Sequence, residues 1–384
     1  MSRRSACGAL LYSLAAAGCS TRTVATTRTP GLDSLDALAR AKGLRFGSVL
    51  GRGTPQRPGS FDDESCRMLT ARECSVLVLE NECKWPQLRP HPGEPYRFAP
   101  ADEMFAWGLA QGMSLRGHTL LWMPQRWLPS WIAQIDFGTQ PATRAQGLLA
   151  EHIHTTCAHF GDAIESWDVV NEAVDHLTGQ MRENTLSRHL GDPVALVAEA
   201  FHLARAHAPH AQLVYNDFMS WDEGGEPHRR GVLTLLAELR RRGAPVHALG
   251  VQAHIGVWSL PASGDDAAAR RAQIWRRFLD EVTSLGLDLL VTELDVEDRA
   301  LPADLAARDA GVAAVARDWL DVTLANPRLH RLLCWGLTDR HSWLHTDNPR
   351  PDGLPKRPLP YDELGRPKPL RQAIAQALRA APAR

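Results

Sequence analysis

The chain is 384 residues long, 44% hydrophobic and 23% charged, with 43 basic against 44 acidic residues and a formal net charge of −1. That length and apolar fraction can fill a large core, and a single α/β barrel can use all of it. The balanced charge offers no electrostatic case for a nucleic-acid partner or an anionic membrane surface.

Residues 1–19 read as an export signal: Arg3-Arg4, a weakly apolar run to Ala17, then Gly18-Cys19. Ala16-Ala17-Gly18-Cys19 resembles a bacterial lipobox with Cys19 as the lipidated residue, and Arg3-Arg4 fits a twin-arginine signal equally well. The run is too short for a transmembrane helix, and no later segment is long enough. Residues 20–31 read as a flexible tether, and residues 32–384 as the folded unit. Export to the periplasm, an outer-membrane lipoprotein or the medium is expected. Seven cysteines without CxxC pairs argue against a zinc module. Cys66 and Cys74 are a candidate bridge; Cys157 and Cys334 are expected as buried thiols.

From about Leu32 one rhythm repeats, a short apolar strand with polar or Gly-rich residues at its end and then an amphipathic helix. The predicted strands are Phe46–Leu50, Val76–Glu80, Ser114–Leu121, Ile164–Asn171, Gln212–Asn216, Ala248–Gln252, Asp288–Glu293 and Leu332–Leu337. Helices are predicted over Pro193–His207, Arg229–Arg242, Ala267–Leu285 and Leu305–Ala325. Eight βα units predict a closed (β/α)8 TIM barrel. A doubly wound open sheet competes, but no GxGxxG or Walker turn follows any strand.

Polar residues fall at the strand ends: Glu80-Asn81, His118, Asn171-Glu172, Asn216-Asp217, Gln252 with His254, Glu293 with Asp295, and Trp335. In a barrel these ends converge on the face where chemistry is done. One such carboxylate is usually a cap or a loop contact, but seven strand ends at once are not solvent decoration. Trp167–Glu172 (WDVVNE) closes the fourth strand and Val291–Asp295 (VTELD) the seventh. Two carboxyls facing each other across a barrel mouth can protonate a glycosidic oxygen and attack the anomeric carbon without a metal or cofactor. His254 and Asp295 would keep Glu293 ionised as nucleophile. Glu172, raised by burial and by the charge of Glu293, would be the acid.

These motifs resemble glycoside hydrolase family 10, whose typical member is an endo-β-1,4-xylanase, over about Leu32 to Ile374. Glu80–Trp85 (ENECKW) matches the block after strand two, which implies that Glu80, Asn81 and Lys84 bind sugars on the glycone side. Arg116–Trp122 (RGHTLLW) implies His118 and Trp122 near the cleaved unit. Tyr215-Asn216-Asp217 and Gly250–His254 (GVQAH) fit strands five and six, giving Gln252 and His254 as site residues. Trp335–Asp339 with Ser342-Trp343 implies two tryptophans, Trp335 and Trp343, lining the glycone side. Asn171 would bind the sugar 2-hydroxyl, and Asp295 would support His254. The resemblance implies a retaining, two-carboxylate double displacement on internal bonds of xylan.

The chain departs from the family pattern after Trp122. Met123 replaces a usual histidine, and the stretch to Leu128 is two residues longer. Gln125 or Arg126 would resupply the missing polar contact to the nucleophile side. Cys83 stands where methionine is common, a soft packing position. Other retaining barrel glycosidases (β-1,4-glucanase or mannanase) and a non-catalytic carbohydrate-binding lipoprotein are the alternatives. No metal ligand set or nucleotide loop implies a cofactor. The expected partner is xylan or xylo-oligosaccharide, met by a monomer.

Overall fold

The computed structural model describes residues 33–54, 56–256 and 265–384. The segments expected as export signal and tether, with Arg3-Arg4 and Cys19, lie outside these residues. Among the described residues nine strands form: β1 Arg45–Leu50, β2 Val76–Leu79, β3 Ser114–Trp122, β4 Ile164–Asn171, β5 Gln212–Asp217, β6 Ala248–Val251, β7 His254–Gly256, β8 Asp288–Glu297 and β9 Leu329–Cys334. They lie in the order β6-β5-β4-β3-β2-β1-β9-β8-β7, and β6 also pairs with β8, so eight parallel strands close into a barrel. Intervening helices cover its outside, which is the TIM-barrel architecture; an open doubly wound sheet is excluded by the β6–β8 pairing.

Local chemistry explains the elements. The strands are near-continuous apolar runs such as VLVL in β2, as parallel strands buried on both faces require. The helix Pro193–His207 begins where Asp192 accepts from Val194 N (2.8 Å) and Ala195 N (3.1 Å), with proline in its first turn. Trp167, Tyr215, Phe46 and Phe201 are fully buried in the core. Gly117 has no side chain because the Trp167 ring occupies that space. Gly250 is needed for a similar reason: a Cβ there would collide with Asn216 Oδ1.

Two strand expectations need correction. The last strand runs over Leu329–Cys334 and stops before Trp335, three residues earlier than the hydrophobic run suggests. Its first half carries Arg331, which donates to Glu165 (2.9 Å) and Gln212 (2.8 Å) across the barrel floor, so a polar residue belongs in this strand. Strand β8 continues to Glu297 because β7, which the pattern did not show, pairs with its outer end, His254 opposite Asp295. The four predicted helices form at Pro193–His207, Glu226–Arg241, Asp265–Ser284 and Leu305–Thr323. The candidate Cys66–Cys74 bridge does not form: both are free, as are buried Cys83, Cys157 and Cys334. Among the described residues no helix is long and apolar enough to cross a membrane.

Candidate active site

Parallel register brings the strand ends together. Trp122 lies opposite Asn171, Asn171 opposite Asn216, and Asn216 opposite Gly250. Asn171 therefore ends one strand beside Asn216 on the next, with Glu172 just beyond. Because a carboxylate only accepts, Asn216 turns its amide nitrogen to Glu293 Oε1 at 2.6 Å. The Asn171 amide lies 2.9 Å from that nitrogen and 3.3 Å from Glu172 Oε1. Thr292 Oγ1 donates to Asn216 Oδ1 at 2.7 Å and fixes the amide from behind. Gln252 Nε2 donates to Glu172 Oε1 at 3.1 Å and lies 3.1 Å from the Asn171 amide. Two buried amides thus link the two carboxyls.

The second carboxyl has a different environment. His254 Nε2 lies 3.2 Å from Glu293 Oε2, and His254 Nδ1 lies 2.9 Å from Asp295 Oδ1. Trp343 Nε1 donates to the other oxygen of Asp295 at 2.7 Å. Burial opposes a charge on Glu293, but the His254 and Asn216 hydrogen bonds hold its carboxyl down at about 2. Burial opposes a charge on His254 too, yet the adjacent Asp295 and Glu293 carboxylates push it up to about 10. Glu172 moves the other way. Burial and the negative charge of Asp217 raise it, against hydrogen bonds from Trp122 and Gln252.

Glu172 also has a left-handed backbone, φ 55°, which costs a non-glycine residue about 1–3 kcal/mol. Strand β5 holds it there: Glu172 N donates to Asn216 O at 2.9 Å, and Ala173 N donates to the Tyr215 hydroxyl at 3.1 Å. Tyr215 in turn donates to Asp217.

The other expected residues gather on the same face. Lys84 Nζ donates to Asn81 Oδ1 at 3.0 Å and lies 4.6 Å from the Trp122 ring centre. Burial lowers Lys84, opposed by the charges of Glu80, Glu293 and Glu172, and burial raises Glu80 against Lys84. His118 Nδ1 lies 2.9 Å from Asp168 Oδ2, and its ring meets Trp335 edge-on at 5.3 Å. Asp168 is itself paired with buried Arg116. A cleft of about 610 Å³ runs past His254, Asp295, Glu297, Trp343 and Asp347 to Arg126 and Trp127.

The loop after β3 differs from expectation. Gln125 turns away from the nucleophile side, whereas Arg126 lines the cleft beside His254 and Asp295 but makes no hydrogen bond to them among the described residues. Gln125 Oε1 accepts from Thr185 N (2.6 Å) and Oγ1 (2.9 Å), and Met123 is buried with its carbonyl accepting from Asn184 Nδ2 at 3.0 Å. The amide of Gln125 is consumed in capping a neighbouring helix. Sequence reading placed Asn216, Tyr215 and Thr292 within strand-end motifs but gave none of them a role in the site. The signal was present for Asn216, since strands four and five both end in asparagine, but its use depends on their register.

Among the described residues one group has metal-ligand chemistry: Asp63, Cys66 and His341. Its shared oxygen, Asp63 Oδ2, already accepts from Arg340 Nη1 at 2.8 Å and lies 3.2 Å from His341 Nε2. Asp63 also caps the helix Glu64–Glu73, so the group is an ion-paired cap.

A model of glycosyl hydrolase family 10 matches residues 34–377. Endo-1,4-beta-xylanase 5 of Pyricularia oryzae is 31% identical over 363 residues, covering 93% of this chain and 82% of its own length. The crystal structure of native xylanase 10B from Thermotoga maritima superposes with a TM-score of 0.76 at 29% identity, covering 90% of this chain and 98% of that one. Xylanase 10B from Thermotoga petrophila, solved in complex with xylobiose, gives a TM-score of 0.76 at 28% identity, covering 90% and 97%. Barrel, paired carboxyls and family model agree, and the chain belongs to glycosyl hydrolase family 10.

Proposed function

We propose that this chain is an endo-acting 1,4-β-xylanase that cleaves internal bonds of xylan with retention, Glu293 being the nucleophile and Glu172 the acid/base. The observation that carries this reading is the opposite protonation preference of two carboxyls joined through Asn171 and Asn216. Glu293 is held at about 2 and so is ionised, whereas burial raises Glu172. A pair of carboxyls with separated pKa values divides into acid and nucleophile.

In the first step a Glu293 oxygen attacks the anomeric carbon, the bond to the leaving sugar breaks, and the Glu172 proton passes to the leaving oxygen. In the second step Glu172 takes a proton from water as that water attacks the same carbon, releasing Glu293 and restoring both groups. Asn171 would hold the 2-hydroxyl, and Glu80, Asn81, Lys84, His118, Gln252 and His254 the remaining hydroxyls. Trp122, Trp335 and Trp343 would supply apolar faces. Xylan is preferred over cellulose or mannan because the similar proteins are endo-1,4-beta-xylanases.

The test is hydrolysis of xylan, cellulose and mannan by the unmodified chain and by Glu172→Ala and Glu293→Ala, with NMR of the first product. Xylan cleavage giving the β-anomer first, lost in both variants, is expected. An α-anomer first product, or near-normal turnover by either variant, would overturn the mechanism. Residues 1–19 are read as an export signal; mass spectrometry of the mature chain for a lipidated Cys19 tests the anchor. A monomer is expected in size-exclusion with light scattering.

A further inference from the structure

The turn over residues 124–127 carries two side chains, Arg126 and Trp127, that are built into the cleft wall. Met123 N donates to Asn171 O at 3.0 Å, so the loop leaves β3 in register with the candidate catalytic strand. Asn184 then holds the Met123 carbonyl, and Thr185 holds the Gln125 amide oxygen. Trp127 N closes the turn onto Pro124 O at 2.9 Å. Held at these points, the loop presents its side chains in a fixed arrangement.

Trp127 stacks on Trp122 with ring centres 4.2 Å apart and planes 10° apart. Lys84 Nζ lies 4.6 Å from the Trp122 ring centre, and the Arg126 guanidinium lies 5.2 Å from the Trp127 centre. One face of Trp127 is therefore covered by Trp122, and the Arg126 guanidinium packs against the ring as well. Trp127 backs Trp122 and supports Arg126; its own faces are not free sugar platforms. Arg126 is exposed and lines the cleft with His254, Asp295 and Trp343.

The acids of the same cleft leave Arg126 without a partner among the described residues. Asp295 is occupied by His254 and Trp343, and Glu297 by Lys356 and Asn348. Asp347 lines the cleft but makes no ion pair with Arg126 among the described residues. A planar, always-charged fork stacked on an aromatic ring loses little freedom when a carboxylate arrives.

We propose that Arg126, backed by Trp127, forms a binding position for a carboxylate-bearing substituent of the polysaccharide, so that the chain favours xylan carrying acidic sugar branches. This deepens the xylanase reading and rests on it. An exposed arginine–carboxylate pair should tighten binding about fivefold and weaken with salt.

The experiment uses the Glu293→Gln chain, in which bound oligosaccharide is not consumed. Calorimetry compares a xylo-oligosaccharide bearing one uronic-acid branch with the same compound after its carboxyl is reduced to the alcohol. The acid form should bind about fivefold tighter, and adding Arg126→Gln should bring the ratio close to one while Arg126→Lys retains part of it. An acid-to-alcohol ratio that is the same with and without Arg126→Gln overturns the proposal. Hydrolysis of unbranched xylan by the unmodified chain is measured in parallel. Its failure would remove the xylanase reading alone, because the binding ratio is read without turnover.

Discussion

His254 Nε2 stands 3.2 Å from Glu293 Oε2, with the other imidazole nitrogen 2.9 Å from Asp295. Histidine between two carboxylates stays charged, and a charged histidine keeps the neighbouring glutamate ionised. With Glu293 held at about 2 and Glu172 raised, kcat/KM on xylan should be bell-shaped. The acid limb belongs to protonation of Glu293 and the alkaline limb to loss of the Glu172 proton. His254→Gln should move the acid limb upward and lower kcat by about a hundredfold. A pH–rate profile of the variant whose acid limb stays in place would contradict this assignment.

The same ion pair sets a stability window. His254 in the fold titrates at about 10, against an unfolded value near ~6.5, so its share is full below ~6.5 and is lost as pH rises through about 10. Glu293 is depressed to about 2, so its share is present above the ordinary glutamate range near ~4.3 and is lost as pH falls through about 2. Unfolding by denaturant should therefore separate wild type from His254→Gln most between about pH 4.5 and 6.5, with the gap narrowing toward pH 10. An unchanging gap across that range would show that the two groups do not pair.

Much of this was legible in the sequence, and the reason differs between parts. The barrel followed from eight apolar runs, each ending in polar residues, because period and spacing are local properties. Glu172 and Glu293 stood out because strand-end carboxyls in NE and TEL settings do not suit a buried position without a job. What stayed hidden depends on register. Asn216 is one polar residue among many until β4 and β5 are aligned, and Tyr215 lies in an apolar strand where its hydroxyl has no visible partner. The short β7 carries only three residues, too few to show alternation. Gln125 was expected to serve the site, yet its oxygen caps a helix sixty residues later, a contact no spacing rule foretells.

Asn216→Ala tests the bridge between the carboxyls. Its amide donates to Glu293, accepts from Thr292 and lies beside the Asn171 amide, all in a fully buried position. Removal leaves the Thr292 hydroxyl and a Glu293 oxygen short of partners, at a cost of about 1–3 kcal/mol in stability. kcat should fall by about a hundredfold, since the lost donor acts on the proposed nucleophile. Calorimetric melting and xylan kinetics on one preparation read both effects; a stability loss with unchanged kcat would deny Asn216 any part in positioning.

Tyr215→Phe tests how the left-handed backbone at Glu172 is maintained. The Tyr215 hydroxyl accepts from Ala173 N and donates to Asp217, so its deletion strands a buried N–H and takes one donor from a buried carboxylate beside Glu172, which keeps Phe218 N and His228 at its other oxygen. Loss of about 1–3 kcal/mol is expected. Asp217 is one of the charges that raise Glu172, and without its phenol donor that charge is less delocalised, so the alkaline limb should shift upward. Unfolding free energy and the pH profile of the variant measure the two consequences; an alkaline limb that moves down would break the link between Asp217 and Glu172.

Leaving-group dependence separates the two carboxyls without a structure of the complex. If Glu172 donates the proton, it is needed only when the departing oxygen is a poor leaving group, as in xylan. An aryl xyloside with an acidic phenol departs unaided, so Glu172→Ala should keep most of the rate of the first step on that substrate while losing about 10²–10⁴-fold on xylan. Its second step still lacks a base, so a burst of phenol followed by slow turnover is expected. Glu293→Ala has no nucleophile for either substrate and should show neither burst nor turnover. Equal losses on both substrates for Glu172→Ala would mean that this residue does not serve as the acid, whatever its pKa.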